Sequence, residues 1–353
     1  MLKTLKDFNL QNKRVLVRCD FNVPLDERGN ILDDFRIKQT IPTIKYLIEK
    51  GAKLLLMSHL GRPGGRVVES LRLTLIQDKL MEYLDLSITK AADCIGPEVE
   101  KWSQEMNPGE ILLLENLRFH KEEETNDDKF AKELAKMGDI YINDAFAVSH
   151  RTHASIVGVP EYLPSGAGFL LEKEIKVLSD LLKNPKKPMI AIIGGVKVET
   201  KAKVIDKISE IADWVLVSNV IQKEIEEKSI SFKYPKKIIK PVDGIKKDGK
   251  ILDIGPKTIN LFLEKIVLAK TIFWSGPLGK IEKKEFQKGS LKIAKAIIKG
   301  KSFSLGGGGE TVKFINKIGF REKFNHISTG GGAMLKFLSG DKLPGIEALE
   351  LQK

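Results

Sequence analysis

Short apolar runs alternate with longer amphipathic ones along nearly the whole chain, and this alternation restricts the fold more than any other feature. Val15–Arg18, Leu54–Met57, Ile88–Ala91, Ile111–Leu114 and Ile140–Asn143 read as strands. Arg36–Glu49, Leu73–Met81 and Asp127–Met137 read as helices, with Gly51 and Gly138 as stops and Asn126 as a cap. A break rich in Pro and Gly follows at Val159–Gly168, then a helical run, Phe169–Leu182, that ends in Asn184, Pro185 and Pro188. A second alternating set begins at Met189–Ile193. It continues through Ile205–Ala212, Trp214–Val217, Ile251–Leu252, Thr258–Leu268, Thr271–Trp274, Gly289–Ile298, Phe303–Leu305 and Thr311–Ile318. Such a rhythm predicts α/β architecture, with mainly parallel sheets and helices on both faces. The break predicts two domains joined near residues 170–188 by a stiff connector. Lys223–Lys250 is lysine-rich and poorly periodic, and reads as a solvated region.

Length and composition agree with this reading. At 353 residues, 42% hydrophobic and 30% charged, the chain can bury a real core in one large or two medium domains. The formal charge of +12 would suit a nucleic-acid partner. The lysines are spread through helices and loops, however, with no aromatic-interleaved basic tract, so a small anionic substrate fits better. Cys19 and Cys94 are too few for a disulfide framework or a zinc site. With no secretory leader and no apolar run of transmembrane length, the expectation is a cytoplasmic protein.

Chemistry-bearing residues gather where strands end. Two glycine runs, Gly306–Gly309 and Gly330–Gly332, each follow a β-like run and precede a helix-like one. Glycine lets backbone N–H groups approach an anion closely, so two such turns suggest a polyphosphate site. Plain αβ turns would use the same glycines. In the first half, Asp20, Asn22, His59, Arg62, Arg118 and Arg151 all follow strands, and Arg36 opens a helix. Carboxyl ends of parallel strands share one edge, where ligands sit. Guanidinium groups there would make paired bonds to phosphate or carboxylate. In the second half, Gly194, Gly195, Lys197 and Lys201 follow one strand, and Ser275, Gly276 and Pro277 follow another.

Several chemistries lack their signatures. No G-x-G-x-x-G opens the first βα unit, and no G-x-x-x-x-G-K-[ST] loop occurs. A G-x-S-x-G elbow and paired histidines at metal spacing are also absent. Arginines on one wall, with a lysine and glycine-exposed amides on the other, supply what phosphoryl transfer needs: alignment and charge neutralisation.

The motifs RCDFNVP (Arg18–Pro24), SHLGRP (Ser58–Pro63), ENLRF (Glu115–Phe119), NDAFA (Asn143–Ala147), GGVKVETK (Gly194–Lys201), GGGGET (Gly306–Thr311) and STGGGA (Ser328–Ala333) together resemble the phosphoglycerate kinase family over almost the whole chain. The resemblance implies two Rossmann-like three-layer αβα domains with mainly parallel sheets, joined by a hinge helix. Residues 1–170, with a C-terminal return at 338–353, would bind phosphoglycerate. Residues 171–188 would form the hinge helix and linker. Residues 189–337, abbreviated around 218–250, would bind nucleotide. The implied reaction moves a phosphoryl group from 1,3-bisphosphoglycerate to ADP, giving 3-phosphoglycerate and ATP with Mg2+, in a monomer that has no nucleic-acid or membrane partner.

Carried across, Asp20 and Asn22 meet the carboxylate and hydroxyl end of the substrate. His59, Arg62, Arg118 and Arg151 form a basic patch for the phosphate that is not transferred, and Phe21, Leu60 and Gly61 complete the substrate set. Arg36, Lys197 and Gly331 would be catalytic. Lys197, Lys201, Gly308, Gly309, Glu310 and Thr311 would line the nucleotide phosphates, Glu282 would meet the ribose, and Glu310 would hold the metal. The chain departs from the family pattern in places. Ser218, Asn219 and Val220 stand where glycines usually line the adenine pocket, Ser275 replaces an asparagine, and Glu310 replaces an aspartate. A non-catalytic relative that no longer binds nucleotide is the alternative these departures leave open.

Overall fold

The computed structural model describes residues 2–195 and 198–350, and of 198–200 only the backbone. The chain divides into two compact units, Met1–Ile175 with Lys342–Lys353, and Lys176–Asp341.

In the first unit the strands are β1 (Arg14–Arg18), β2 (Lys53–Met57), β3 (Thr89–Lys90), β4 (Ile111–Leu113), β5 (Ile140–Asn143) and β6 (Ser165–Ala167). They form one parallel sheet in the order β3-β4-β2-β1-β5-β6. Val15, Leu16, Val17, Leu54, Leu55 and Leu56 are fully buried, as expected of strands covered on both faces. The helices are α1 (Phe35–Glu49), α2 (Thr74–Leu84), α3 (Pro97–Glu105), α4 (Lys121–Thr125) and α5 (Asp128–Ala135), and α6 (Phe169–Lys183) runs across the boundary into the second unit. From β1 the chain steps through α1 and α2 toward β3, then returns through α3 and α5 in the opposite direction. Right-handed crossovers therefore place α1 and α2 on one face and α3 and α5 on the other.

The second unit repeats the scheme. Its strands are β7 (Met189–Ile193), β8 (Trp214–Val217), β9 (Ile238–Ile239), β10 (Gly244–Lys247), β11 (Lys250–Ile254), β12 (Thr271–Ser275), β13 (Phe303–Gly307) and β14 (His326–Ile327). All but β10 and β11 form a parallel sheet in the order β14-β13-β12-β7-β8-β9. The helices are α7 (Val198–Ile211), α8 (Asn219–Glu227), α9 (Pro256–Leu268), α10 (Lys288–Lys299), α11 (Gly309–Lys317) and α12 (Gly332–Leu338). The step from β7 to β8 and the step from β12 to β13 run in opposite directions, so α7 and α10 lie on opposite faces. In agreement, α12 packs on α7 and α9 on α10. The last helix, α13 (Pro344–Glu350), belongs to the first unit, where Gly345 donates its N–H to Ser149 O at 2.8 Å.

Three local expectations are corrected. Asn126 does not open a helix: it closes α4 in the left-handed region at φ 55°, and Asp127 is the cap of α5, accepting from Phe130 N at 2.9 Å. The break at Val159–Gly168 contains β6, a short strand paired with β5. The segment Lys223–Lys250 is largely exposed, as read, yet it is structured. It holds most of α8, then β9 and β10, which pairs with β11 just beyond it as an antiparallel hairpin whose turn is Asp248–Gly249, both at positive φ.

Candidate active site

In the first unit the strand order reverses between β1 and β5, and ligand crevices form outside the carboxyl ends of parallel strands at such a point. The loops after β1, β2 and β4 interlock there through side chains. Asn22 Oδ1 accepts from Gly61 N at 2.9 Å, and Gly61 O accepts from Arg118 Nη1 at 2.9 Å. Asn116 Nδ2 donates to Leu60 O at 2.8 Å. Gly61 takes φ 67°, where a side chain would be strained and would also meet Leu71. Arg36 donates to Asn22 O at 3.1 Å and lies 2.9 Å from Asp20 Oδ2. That buried Asp20 oxygen has no aligned hydrogen-bond donor among the described residues. Arg62 and Arg151 are exposed and hold no side-chain hydrogen bond or ion pair among the described residues.

Two expected members of the substrate set are buried. Phe21 is fully buried, so only its backbone reaches the edge, where its N–H donates to Ser58 Oγ at 2.9 Å. His59 is buried, and its pKa lies well below the ordinary value. Burial is the main cause, and Arg18, Arg118 and Arg36 add to it. The imidazole is therefore neutral at pH 7 and adds no charge to the patch. Its Nδ1 lies 3.2 Å from Arg18 Nη2. A guanidinium has no acceptor, so Nδ1 must accept and the ring proton sits on Nε2. Arg118 is partly desolvated: burial lowers its pKa, Glu124 opposes this, and Arg18 and Arg151 reinforce it.

Sequence reasoning missed the support beneath these groups. Arg18 is fully buried and donates from Nε to Ser155 Oγ at 2.8 Å, while Ser155 Oγ donates to Glu123 Oε1 at 2.6 Å. His153 Nδ1 lies 3.7 Å from the same carboxylate. The only signal in the sequence was Arg18 itself, a charged residue at the end of an apolar strand. Asp144 is a second missed group. It is fully buried and accepts from Leu170 N at 2.8 Å and Leu171 N at 3.4 Å. Burial pushes its pKa up to about 7.

In the second unit the sheet reverses between β7 and β12, and the edge there is made of backbone. Gly194 N donates to Ser275 O at 2.9 Å and Gly195 N to Pro277 O at 2.8 Å, which binds the two loops together. Gly195, Gly276, Gly308 and Gly331 all have positive φ. Lys201 is buried and donates to Gly194 O. A methyl placed on Gly195 would stand 2.6 Å from Lys201 Nζ and 3.3 Å from Glu310 Oε2, so the lysine and the glutamate converge on this turn. Thr311, fully buried in the first turn of α11, accepts from Gly276 N at 2.6 Å. Gly308 caps α11 and Gly309 is exposed at its first position. Gly331 caps the seven-residue α12. Lys197 lies outside the described residues.

A cavity of about 330 Å3 lies beside these turns. Gly195, Glu282 and Glu310 line it together with Ser218, Asn219 and Val220, and Ile251 and Leu252 of β11 form another part of its wall. The hairpin hidden in the lysine-rich segment thus builds part of the site. Asp253, in the same wall, is buried and accepts from Ile254 N and Gly289 N, both at 2.9 Å. Burial raises its pKa to about 6. No helix among the described residues is long and apolar enough to cross a membrane.

The phosphoglycerate kinase family model matches residues 5–225 and 218–341. The phosphoglycerate kinase of Dictyoglomus turgidum is 43% identical, with 98% of each chain covered. That of Moorella thermoacetica is 42% identical, again with 98% of each covered. Among solved structures, the phosphoglycerate kinase from Pyrococcus horikoshii OT3 superposes with a TM-score of 0.87 at 33% identity, covering 99% of this chain and 98% of that one. The enzyme from Coxiella burnetii gives 0.85 at 32% identity, with 99% of each covered. The alignment with the Dictyoglomus protein runs to 388 positions against 353 residues here, so that relative carries extra residues. The two stretches of the family match overlap at 218–225, where α8 begins.

Proposed function

The chain belongs to the phosphoglycerate kinase family, and from that premise we propose that it moves a phosphoryl group reversibly between 1,3-bisphosphoglycerate and ADP, giving 3-phosphoglycerate and ATP. The bond from phosphorus to the acyl oxygen breaks, and one to a terminal β-phosphate oxygen of ADP forms. The released carboxylate keeps the electron pair. No protein nucleophile or proton acceptor is required, so catalysis is positioning and charge stabilisation.

The first unit holds the phosphoglycerate. The observation that carries this reading is the Asp20 carboxylate oxygen, buried, 2.9 Å from Arg36 and without an aligned donor. A substrate hydroxyl supplies that donor. The neutral His59 offers its Nε2 proton, Arg118 is held on the Gly61 carbonyl, and exposed Arg62 and Arg151 meet the phosphate that stays behind. Arg36 neutralises charge on the group in transfer.

The second unit holds the nucleotide. Gly308, Gly309 and the start of α11 present N–H groups to its phosphates, Lys201 sits under the Gly194–Gly195 turn, and Glu282 meets the ribose. Gly331 presents its amide to the transferred group, and Lys197 shares that role by its place in the GGVKVETK motif. Glu310 fits Mg2+, which takes one or two carboxylates together with phosphate oxygens and water. Its carboxylate is exposed at the cavity, and the ion would shield phosphate charge there. Residues 1–170 with 338–353 and residues 189–337 are the two functional domains, with 171–188 as connector. The enzyme works as a cytoplasmic monomer, in keeping with two buried, unpaired cysteines.

The test is an assay of the purified chain with 3-phosphoglycerate, ATP and Mg2+, coupled to reduction of the acyl phosphate. The expected result is turnover that requires all three. Absence of turnover above the blank would overturn the proposal.

A further inference from the structure

The cavity beside β8 holds a polar group that phosphate binding does not use. Ser218 is committed as the cap of α8, its Oγ accepting from Ile221 N at 3.3 Å. Asn219, the next residue, donates from Nδ2 to Asp243 O at 3.4 Å. That bond fixes which end of the amide is which, because the reverse placement would set two acceptors against each other. The Asn219 Oδ1 that remains is buried and has no hydrogen-bond partner among the described residues. A buried acceptor is costly until a donor meets it.

The surroundings indicate what kind of donor fits. Asn219 lines the cavity with apolar Val220, Ile251, Leu252 and Leu278. The polar lining residues Asp253, Lys280, Glu282 and Glu310 share the cavity, and an apolar wall carrying an oriented acceptor suits a flat heteroaromatic ring that carries an N–H group. The two stretches of the family match also meet at this point, at 218–225.

We infer that Asn219 is a specificity-determining residue whose Oδ1 accepts a hydrogen bond from the 6-amino group of adenine, so that the pocket selects adenine over 6-oxopurine nucleotides. The inference rests on the kinase reading above. Hypoxanthine and guanine present a carbonyl oxygen at that place, and two acceptors facing each other leave both unpaired. A site built to hydrogen-bond one substrate rejects the analogue that lacks the partner.

Initial rates of the full chain with 3-phosphoglycerate, Mg2+ and either ATP or ITP test it, in wild type and in Asn219→Ala. Wild type favours ATP in kcat/KM by roughly tenfold, the scale of one hydrogen bond. Asn219→Ala brings the ratio close to one, chiefly through KM for ATP. The ratio does not depend on how much of a variant is folded. Equal use of the two nucleotides by wild type, or an unchanged ratio in the variant, would overturn the inference alone. No turnover with either nucleotide in wild type would overturn the kinase reading and this inference with it.

Discussion

The two units build their ligand edges on like topology and from different material. In the first, the edge consists of charged side chains held by side chains and loop carbonyls: Arg36 against Asp20, Arg118 on Gly61 O, and Arg18 against His59. In the second it consists of backbone, with glycines at positive φ after β7 and β12 and at the starts of α11 and α12. The side chains near these turns, Lys201 and Thr311, bond to the backbone of Gly194 and Gly276. Fixed guanidinium groups carry whole charges in set directions, which suits a small acid with a carboxylate and a phosphate. Rows of amides carry partial charges, which suit a polyphosphate. The reversal of strand order in each parallel sheet fixes where each crevice lies, and the loops decide what it binds. Each edge also uses one buried carboxylate as a tie, Asp144 gripping the start of α6 and Asp253 gripping the start of α10.

The severest way to break this contrast is Arg36→Ala. If the first edge works by fixed charge, turnover falls roughly a hundred- to a thousandfold, the scale of losing one preorganised donor. The KM for ATP stays nearly unchanged. Steady-state kinetics decides; unchanged turnover with weakened ATP binding would break the contrast.

The two carboxylate ties give the next largest effect. The unfolded chain releases the Asp144 proton near pH 3.8, whereas the folded chain holds it to about pH 7. Between those values the native state binds more protons, so this residue's contribution to stability falls as pH rises from about 4 to about 7 and then levels off. Each tenfold difference in proton affinity is about 1.4 kcal/mol, which sets a ceiling of about 4 kcal/mol. Denaturant melts of wild type and Asp144→Asn from pH 4 to pH 8 should show wild type losing ground as pH rises. Asp253→Asn should show the same sign over a narrower span that ends near pH 6. The opposite slope in either would contradict the burial argument.

Much of the fold is legible because buried parallel strands are short apolar runs that need no distant partner to be recognised. Val15–Arg18, Ile111–Leu114 and Met189–Ile193 each overlap a strand closely. Of the hairpin β10–β11 only Ile251–Leu252 stands out as an apolar run, and the lysines around its Asp248–Gly249 turn hide the rest from a reading based on apolar periodicity. Helix α8 offers only Ile221 and Ile225 as buried positions, too few to set a period. At the site, arginines after strands and glycines before helices mark the edges by residue type alone. Residues that matter through distant contacts leave no such mark. Glu123 sits in a run of three glutamates and looks solvated, yet it is buried because Ser155 N and Oγ both bond to it. His59 looks basic until three arginines and its burial are placed around it.

The smallest effect is also the most direct test of the division between the edges: calorimetric titration of Gly195→Ala and Arg151→Ala, each with 3-phosphoglycerate and separately with ATP and Mg2+. Gly195 sits at φ 77°, and its new methyl would press on Lys201 Nζ, so ATP should bind roughly tenfold more weakly while phosphoglycerate binding is unchanged. Arg151→Ala should do the reverse by a similar factor. If both variants weakened the same ligand, or each weakened both ligands equally, the division of labour between side-chain charge and backbone amides would be contradicted.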